Sequence, residues 1–443
     1  MLLISISDTR IKLNRMSKIK NKIIANTLFS LITRVIIMAT GLLTTVLNAK
    51  YLTISDYANL VIAFLFISVS DVLNNIGIKE YIKSKKYSKH ELIDVFSVEL
   101  LKGVVLTSAM MLVVLFYQDF DNELKYCLAI ISLSPLVFSL KSLKIYELNR
   151  DVNFIPLNTI EITSSIISSI LMIFLLLNGF GILSFAYSYL LRNLLFTVSS
   201  QIYRPFSFRI RLNVEILKKI YKFSFWIILT NIVFLMSSRL DQMIIVNNFS
   251  AIDIASYGFA FKILDSSLIQ PMKIFTSLST PLFLDNNKRG YILPFYLFQL
   301  LLILFISIVV CTVLPHVLDY LMPGKWDQSF TYLPYLFIVG SLLSARNNGV
   351  LWYSMNTKIG FKIEIVRVLS FICSGLFVVY LIDKNLSALI YSLITSAFCT
   401  YFYWSWSVLQ IDENKIPRLV LLVYPIIPIV ILVFMVSNEF YII

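Results

Sequence analysis

Thirteen apolar runs follow one another along this chain, at about 23–48, 57–80, 92–117, 124–147, 155–178, 181–203, 222–247, 252–282, 292–318, 328–354, 360–382, 386–409 and 417–437. A run of about 20 apolar residues, wound into a helix, crosses roughly 30 Å of hydrocarbon. No water is available there, so backbone polar groups must be satisfied by helices or by a closed barrel. Barrel strands read as short alternating segments, and these runs are long and continuous. The sequence therefore predicts an all-α polytopic membrane protein. Composition agrees where it matters, because only 14% of the residues are charged. A soluble domain uses about 25%, so these charges are too few to cover a water-facing globule of 443 residues. The loops are mostly short, which leaves no room for an inserted soluble domain.

Lysine and arginine orient the runs. With the N-terminus inside, the inside segments 1–22, 79–91, 141–154, 204–222, 283–291, 355–362 and 410–418 carry 26 of them. The outside loops carry four: Lys50, Lys125, Lys325 and Lys384. Basic residues are retained on the cytoplasmic side of membrane helices. The expectation is a bacterial inner-membrane protein with a cytoplasmic N-terminus. The same rule accounts for the net charge of +13, and no basic domain interleaved with aromatics is present, so no nucleic-acid partner is expected. Residues 1–15 lack the continuous apolar core of a secretory signal. They are expected to be a disordered tail or an over-extended start before Met16.

Cofactor chemistry finds little support. Cys127, Cys311, Cys373 and Cys399 all lie in apolar runs without ligand spacing, and are expected as small buried hydrophobes. His90 and His316 are far apart. No P-loop is present. Neither a metal nor another cofactor is expected, and transport is expected to be secondary or driven by the substrate gradient.

An internal repeat is visible. Val46, Asn48, Ile54 and Tyr57 recur as Val246, Asn248, Ile254 and Tyr257, at a constant offset of 200 residues. Six runs separate the copies. An even number preserves orientation, so the halves are expected to be related by an axis along the membrane normal. The division expected is a tail (1–22), an N-lobe (23–203), a linker (204–221), a C-lobe (222–409) and an extra C-terminal segment (410–443).

Charges inside the runs point to function. A charge at the centre of a membrane helix costs roughly 2.5–3.5 kcal/mol on the mildest scale. Eight basic residues are nonetheless retained: Arg34, Lys102, Arg192, Arg239, Lys262, Lys273, Arg346 and Arg367. Glu99 with Lys102, Lys262 with Asp265, and Glu364 with Arg367 are each three apart, hence on one helix face. Arg34 has no acid within four residues and is expected near mid-depth of the first run. Lys262 is expected near mid-depth of the eighth. One cation in each half suits an anionic head group passing between them, Arg34 as a bidentate fork and Lys262 as a point charge. Lys273 lies nearer the inner face. Asp71, with Asn74 and Asn75 nearby, makes a polar stripe in the second run that would line a cavity or bind a coupling cation. Asp241 lies nearly opposite Arg239 on its helix, so it is expected to pair with a basic residue of a neighbouring helix or with a transported ion.

The run NTLFSLITRVIIMATGLLTTVLNAKYLTISDYANL resembles the opening of Wzx-type O-antigen and polysaccharide flippases, members of the multidrug/oligosaccharidyl-lipid/polysaccharide (MOP) exporter superfamily. Their pattern "aRyLg..dyG" then "dlGi" reads here AKYLTISDYA and VLNNIGI. SRLDQMIIVNNFSAIDIASYGFAFKILD is similar to the family's seventh-to-eighth helix signature, with Asp241, Tyr257 and Lys262 on the pattern. Lys50, Ala58, Ile254 and Ala255 depart from it. The resemblance implies two six-helix lobes around a central cavity, plus the extra C-terminal helix, and alternating access. It implies no enzyme but a carrier of undecaprenyl-diphosphate-linked oligosaccharide, with membrane lipids, a polysaccharide polymerase and chain-length proteins as the partners to expect. Arg34, Lys262 and Lys273 become diphosphate contacts. Asp71, Asn74, Asp241 and Asp265 become polar cavity or coupling residues. Two rival classes remain: a drug/cation antiporter of the same superfamily, which would concentrate acids in its cavity, and a membrane polysaccharide polymerase, which would need a larger outside loop.

Overall fold

The computed structural model describes residues 2–75, 77–84, 89–117, 120–150, 153–206, 209–211, 213–275, 292–345, 357–381 and 386–411. These form helices and no strand. They are α1 (Leu2–Tyr51), α2 (Ile54–Asn74), α3 (Ile78–Ser84), α4 (Lys89–Phe116), α5 (Asn122–Ser132), α6 (Ser134–Ser139), α7 (Ile145–Arg150), α8 (Ile155–Leu177), α9 (Leu183–Tyr203), α10 (Val214–Asn248), α11 (Ala251–Leu264), α12 (Ile292–Leu321), α13 (Asp327–Ala345), α14 (Thr357–Leu381) and α15 (Leu386–Ile411). A five-residue π-helical segment, Asp265–Ile269, continues α11.

Over their described residues, each of the first twelve apolar runs overlaps one or more helices; 276–282 of the eighth and 346–354 of the tenth lie outside the described residues. The thirteenth, 417–437, lies outside the described residues, as do Arg346 and the loop 283–291. Among the described residues, seven helical stretches are long and apolar enough to cross a membrane: Leu28–Tyr51, Ile54–Asn74, His90–Phe116, Ile155–Leu177, Val214–Asn248, Leu297–Leu321 and Leu386–Ser407. The fourth run is broken at Leu133, after which Pro135 opens α6. Proline is tolerated in a helix's first turn, where an N–H would have no partner anyway. The expected tail is helical too. α1 is continuous from Leu2 to Tyr51, because no proline interrupts it and no glycine precedes Gly41.

The helices group into two compact units. The first contains residues 1–41 and 73–228, the second 42–72 and 229–443. In the first, α3, α4, α7, α8, the stretch before α10 and the start of α10 share a core built from Ile82, Leu92, Val95, Phe96, Ile145, Ile160, Phe206 and Ile220. Phe96 and Phe206 pack with centroids 5.3 Å apart. Gly103 lets α4 approach α6, since a Cβ there would lie 2.6 Å from the Ser139 side chain. Many large apolar side chains face outward, Phe116 among them at 78% exposure, as hydrocarbon contact requires.

In the second unit, Tyr57 of α2, Phe259 of α11 and Trp326 before α13 form a buried aromatic triad. Their centroids are 4.8 Å (Tyr57–Trp326), 4.5 Å (Phe259–Trp326) and 5.7 Å (Tyr57–Phe259) apart. Gly258 packs against Val61 where a Cβ would collide. The end of α1 is fastened here. The Lys325 ammonium donates to the carbonyls of Ala49 (2.8 Å), Lys50 (3.2 Å) and Leu52 (2.5 Å). The Trp326 indole N–H donates to Ala49 at 3.2 Å. These are the unsatisfied last carbonyls of a helix, which attract cations.

The repeat is built in a different register from the residue matches. Thr53 Oγ1 accepts from the Asp56 N–H at 3.1 Å, and Ser250 Oγ from the Asp253 N–H at 3.3 Å. Both are capping boxes opening a helix. Thr53 to Ser250 and Asp56 to Asp253 is an offset of 197 residues, not 200. Helix ends agree: Tyr51 matches Asn248 and Ile54 matches Ala251. Tyr257 therefore lies nearly one turn further into its helix than Tyr57 does. Cys127 and Cys311 are buried as expected, but Cys373 and Cys399 are exposed on α14 and α15.

Candidate functional site

Within the first unit, Ser30 and Asn158 bring α1 and α8 together. Ser30 Oγ donates to the Asn26 carbonyl at 2.8 Å and accepts from Asn158 Nδ2 at 2.6 Å. One turn along α1 from Ser30 is Arg34, and one turn along α8 from Asn158 is Glu161. Residues three or four apart share a helix face. Glu161 interacts electrostatically with Lys79 of α3, Arg192 of α9 and Arg34. Arg34 and Arg192 are exposed on their helices, while Glu161 and Lys79 are partly buried. Arg34 lies six residues inside the span Leu28–Tyr51, toward its N-terminal end rather than its middle. Its acid partner comes from another helix, which spacing along α1 could not reveal.

A second charged cluster in the same unit is closed. Glu99 accepts from Lys102 and Lys141, each at 2.7 Å. Lys102 also donates to the Asn74 carbonyl at 2.8 Å. The Lys141 ammonium sits 3.7 Å from the centroid of Phe138. Glu99 and Lys141 are each 2% exposed. The Glu99–Lys102 pair expected from spacing is present, and Lys141 joins it from a different element. Asn74 serves this cluster through its backbone, while Asp71 is exposed on α2.

The second unit gathers the remaining residues. Asp241 is buried, and its principal partner is a neutral hydroxyl rather than a cation: Tyr257 donates to it. Arg239 and Arg367 are its charged neighbours, Arg367 from α14. Tyr257 is the repeat tyrosine, so the one-turn shift of register takes its hydroxyl to a carboxylate, while Tyr57 packs among rings. Ser237 donates to Glu364 and accepts from Arg367 at 3.2 Å, bridging the pair expected on α14. The Arg239 guanidinium lies 5.3 Å from the Phe261 ring and 3.2 Å from Gln242 Oε1.

Lys262 lies over Phe64 at 4.4 Å from the centroid, a cation–π arrangement worth about 0.5–2 kcal/mol. It is 11 residues into α11, about 16 Å along the helix. Asp265 opens the π segment and accepts from Gln270 at 3.1 and 3.2 Å. Lys273, exposed, has Asp265 and Arg239 as charged neighbours. The π segment went unforeseen. Its signal is Pro271, which has no N–H to offer the preceding turn; the helix widens just before it, with the Gln270 N–H reaching the Asp265 carbonyl five residues back. Such widenings recur at functional sites. Among the described residues no group of three or more His, Cys, Asp or Glu could hold a metal ion.

Solved structures share this fold. An inward-facing multidrug resistance MATE family transporter of the MOP superfamily matches with a TM-score of 0.63 and 12% identity, over 88% of this chain and 100% of that one. The lipid II flippase MurJ, in an inward closed conformation, matches with a TM-score of 0.63 and 16% identity, over 94% and 98%. A MOP superfamily transporter from Pyrococcus furiosus, whose binding pocket is described as reversed in polarity, matches with a TM-score of 0.57 and 13% identity, over 88% and 96%. No curated protein matches the chain. The model of a family described as polysaccharide biosynthesis protein matches residues 46–290. That stretch is more than half of the 443 residues, with Glu161, Asp241 and Lys262 inside it and Arg34 and Arg367 outside it, and the chain belongs to this polysaccharide biosynthesis family.

Proposed function

We propose that this protein is a Wzx-type flippase. It carries an undecaprenyl-diphosphate-linked oligosaccharide, an O-antigen or capsule repeat unit, from the cytoplasmic to the periplasmic leaflet of the bacterial inner membrane. It works by alternating access of an N-lobe (23–203) and a C-lobe (222–409), without catalysing a reaction. The observation that carries the reading is the excess of cations over acids near α8: Arg34 and Arg192 on apolar helices, and Lys79 on the short α3, all interact electrostatically with Glu161. A diphosphate cannot enter hydrocarbon bare, since desolvating isolated ions costs tens of kcal/mol in the idealised limit. Arg34 and Lys262 supply the charges that replace its water, with Lys273 nearer the cytoplasmic face. Asp71, Asn74, Asp241 and Asp265 line the route or couple an ion to it. A cationic drug would find the opposite polarity at Arg34 and Arg192. The MATE-like fold keeps antiport as the second reading, favoured only by Asp241 and Asp265.

Surface polysaccharide in a flippase-null strain tests the proposal. The wild-type chain should restore it. Failure at normal protein level, with export of cationic dyes instead, would establish the antiporter. The 26-to-4 distribution of basic residues supports a cytoplasmic N-terminus and 204–222 loop; reporter fusions at positions 86 and 213 should read cytoplasmic.

A further inference from the structure

The cations nearest Glu161 already have an acid within electrostatic reach, and that acid belongs to the protein. The Ser30–Asn158 hydrogen bond of 2.6 Å sets the α1 face bearing Arg34 against the α8 face bearing Glu161. The short 178–182 connection folds α9, with Arg192, back along α8. Lys79 stands two residues after the positive-φ Gly77 that redirects the chain from α2 into α3. Among the described residues, the electrostatic neighbours of Glu161 are three cations: Lys79, Arg192 and Arg34.

We infer that Glu161 is a built-in counter-ion that holds the Arg34–Lys79–Arg192 site in the empty protein and gives way to phosphate oxygens when a diphosphate arrives. The inference rests on the proposed anionic substrate. A carboxylate and a phosphate offer a guanidinium the same paired oxygen acceptors, so the two compete for the same cations. The phosphate ligand wins through its larger charge. Glu99 shows the alternative, a carboxylate locked between two ammonium groups at 2.7 Å and shut from solvent. Glu161 is only partly buried, and both of its arginines are exposed, which leaves an incoming anion access to them. An empty carrier that kept Arg34 and Arg192 bare among apolar helices would bear a cost for each. An internal carboxylate lowers that cost without filling the site.

The test is binding to the full-length protein in lipid nanodiscs, titrated with inorganic pyrophosphate and, separately, with farnesyl diphosphate or farnesol. The wild type should bind the diphosphates and not farnesol. Glu161→Gln, which removes a competing charge at nearly constant shape, should bind them roughly five- to tenfold tighter. Arg192→Gln, which keeps Glu161, should bind them more weakly by a similar factor. Equal affinity of pyrophosphate and farnesyl diphosphate would mark a site for the phosphate group alone, and a preference for the latter a site on the lipid. Unchanged or weakened binding in Glu161→Gln overturns the inference, as does unaltered binding in Arg192→Gln or absence of binding in all three proteins. If Glu161→Gln does not fold, Glu161→Asp, with a shorter reach, should also tighten binding. Surface polysaccharide in the null strain separates the two levels. Normal complementation with unchanged Glu161→Gln affinity removes the counter-ion and keeps the flippase. The predicted affinities without complementation keep the counter-ion and remove the flippase.

Discussion

Glu99 and Glu161 are both carboxylates placed among cations in the first unit, and they are held in opposite ways. Glu99 is bonded at 2.7 Å to two lysines, and the cluster is closed by Phe138 and the Asn74 carbonyl. Glu161 faces three cations, two of them exposed arginines. The first arrangement has all its hydrogen bonding directed inward, which is what a buried ion cluster needs to exist in a low dielectric. The second keeps charge in reserve. The difference is one of access: the cations of Glu99 are sealed by their bonds, while the arginines near Glu161 remain reachable. Sequence spacing alone gave Glu99 and Lys102 the same standing as the other pairs.

The largest effect that would break this contrast lies at Glu99. Glu99→Gln strands Lys102 and Lys141 in a buried site, and losing one partner of a buried pair costs about 3–5 kcal/mol. The variant should be depleted from membranes and unfold at lower temperature. A Glu99→Gln protein as stable as wild type would show the cluster to be as open as the one at Glu161.

Arg34 should respond in the reverse sense. Arg34→Ala removes an exposed cation, so the protein should reach the membrane at normal level while surface polysaccharide falls severely. Arg34→Lys should fall only in part, because the ammonium keeps the charge and loses the fork. In the second unit, Lys262→Arg should be tolerated and Lys262→Ala should not. Full polysaccharide from the Arg34→Ala, Lys262→Ala double variant would return both residues to structural roles.

A smaller effect separates Asp241 from both carboxylates. Its partner is the Tyr257 hydroxyl, and Asn at position 241 can still accept that bond. Asp241→Asn should therefore insert normally and reduce transport. Unreduced polysaccharide would show that the negative charge is dispensable there.

The smallest effect is expected at the aromatic end of the second unit. Lys325→Ala removes three hydrogen bonds to the last turn of α1, but water can replace the partly exposed ammonium. The expected loss is about 1–2 kcal/mol, read as a modest drop in melting temperature. Trp326→Ala, which empties the centre of the ring triad, should cost more, about 3–5 kcal/mol. If the order is reversed, the ammonium rather than the rings fastens α1.

The membrane helices were legible in the sequence because hydrocarbon imposes a local rule. Each span must satisfy its own backbone and remain apolar for about 20 residues, so every run announces itself without reference to the others. The Glu99–Lys102 pair was legible for the same reason, three residues being one turn. The tertiary structure decided the rest. The partners of Arg34, Glu161, Lys141 and Asp241 lie on other helices, and nothing in the spacing along one helix encodes a distance to the next. The repeat shows the limit in miniature. Identical residues matched at an offset of 200, yet capping hydrogen bonds opened the two helices at 197. Helix starts are set by which hydroxyl and carboxylate reach the free N–H groups, not by which side chains happen to be the same. That shift of nearly one turn separates a tyrosine packed against tryptophan from one bonded to a buried aspartate.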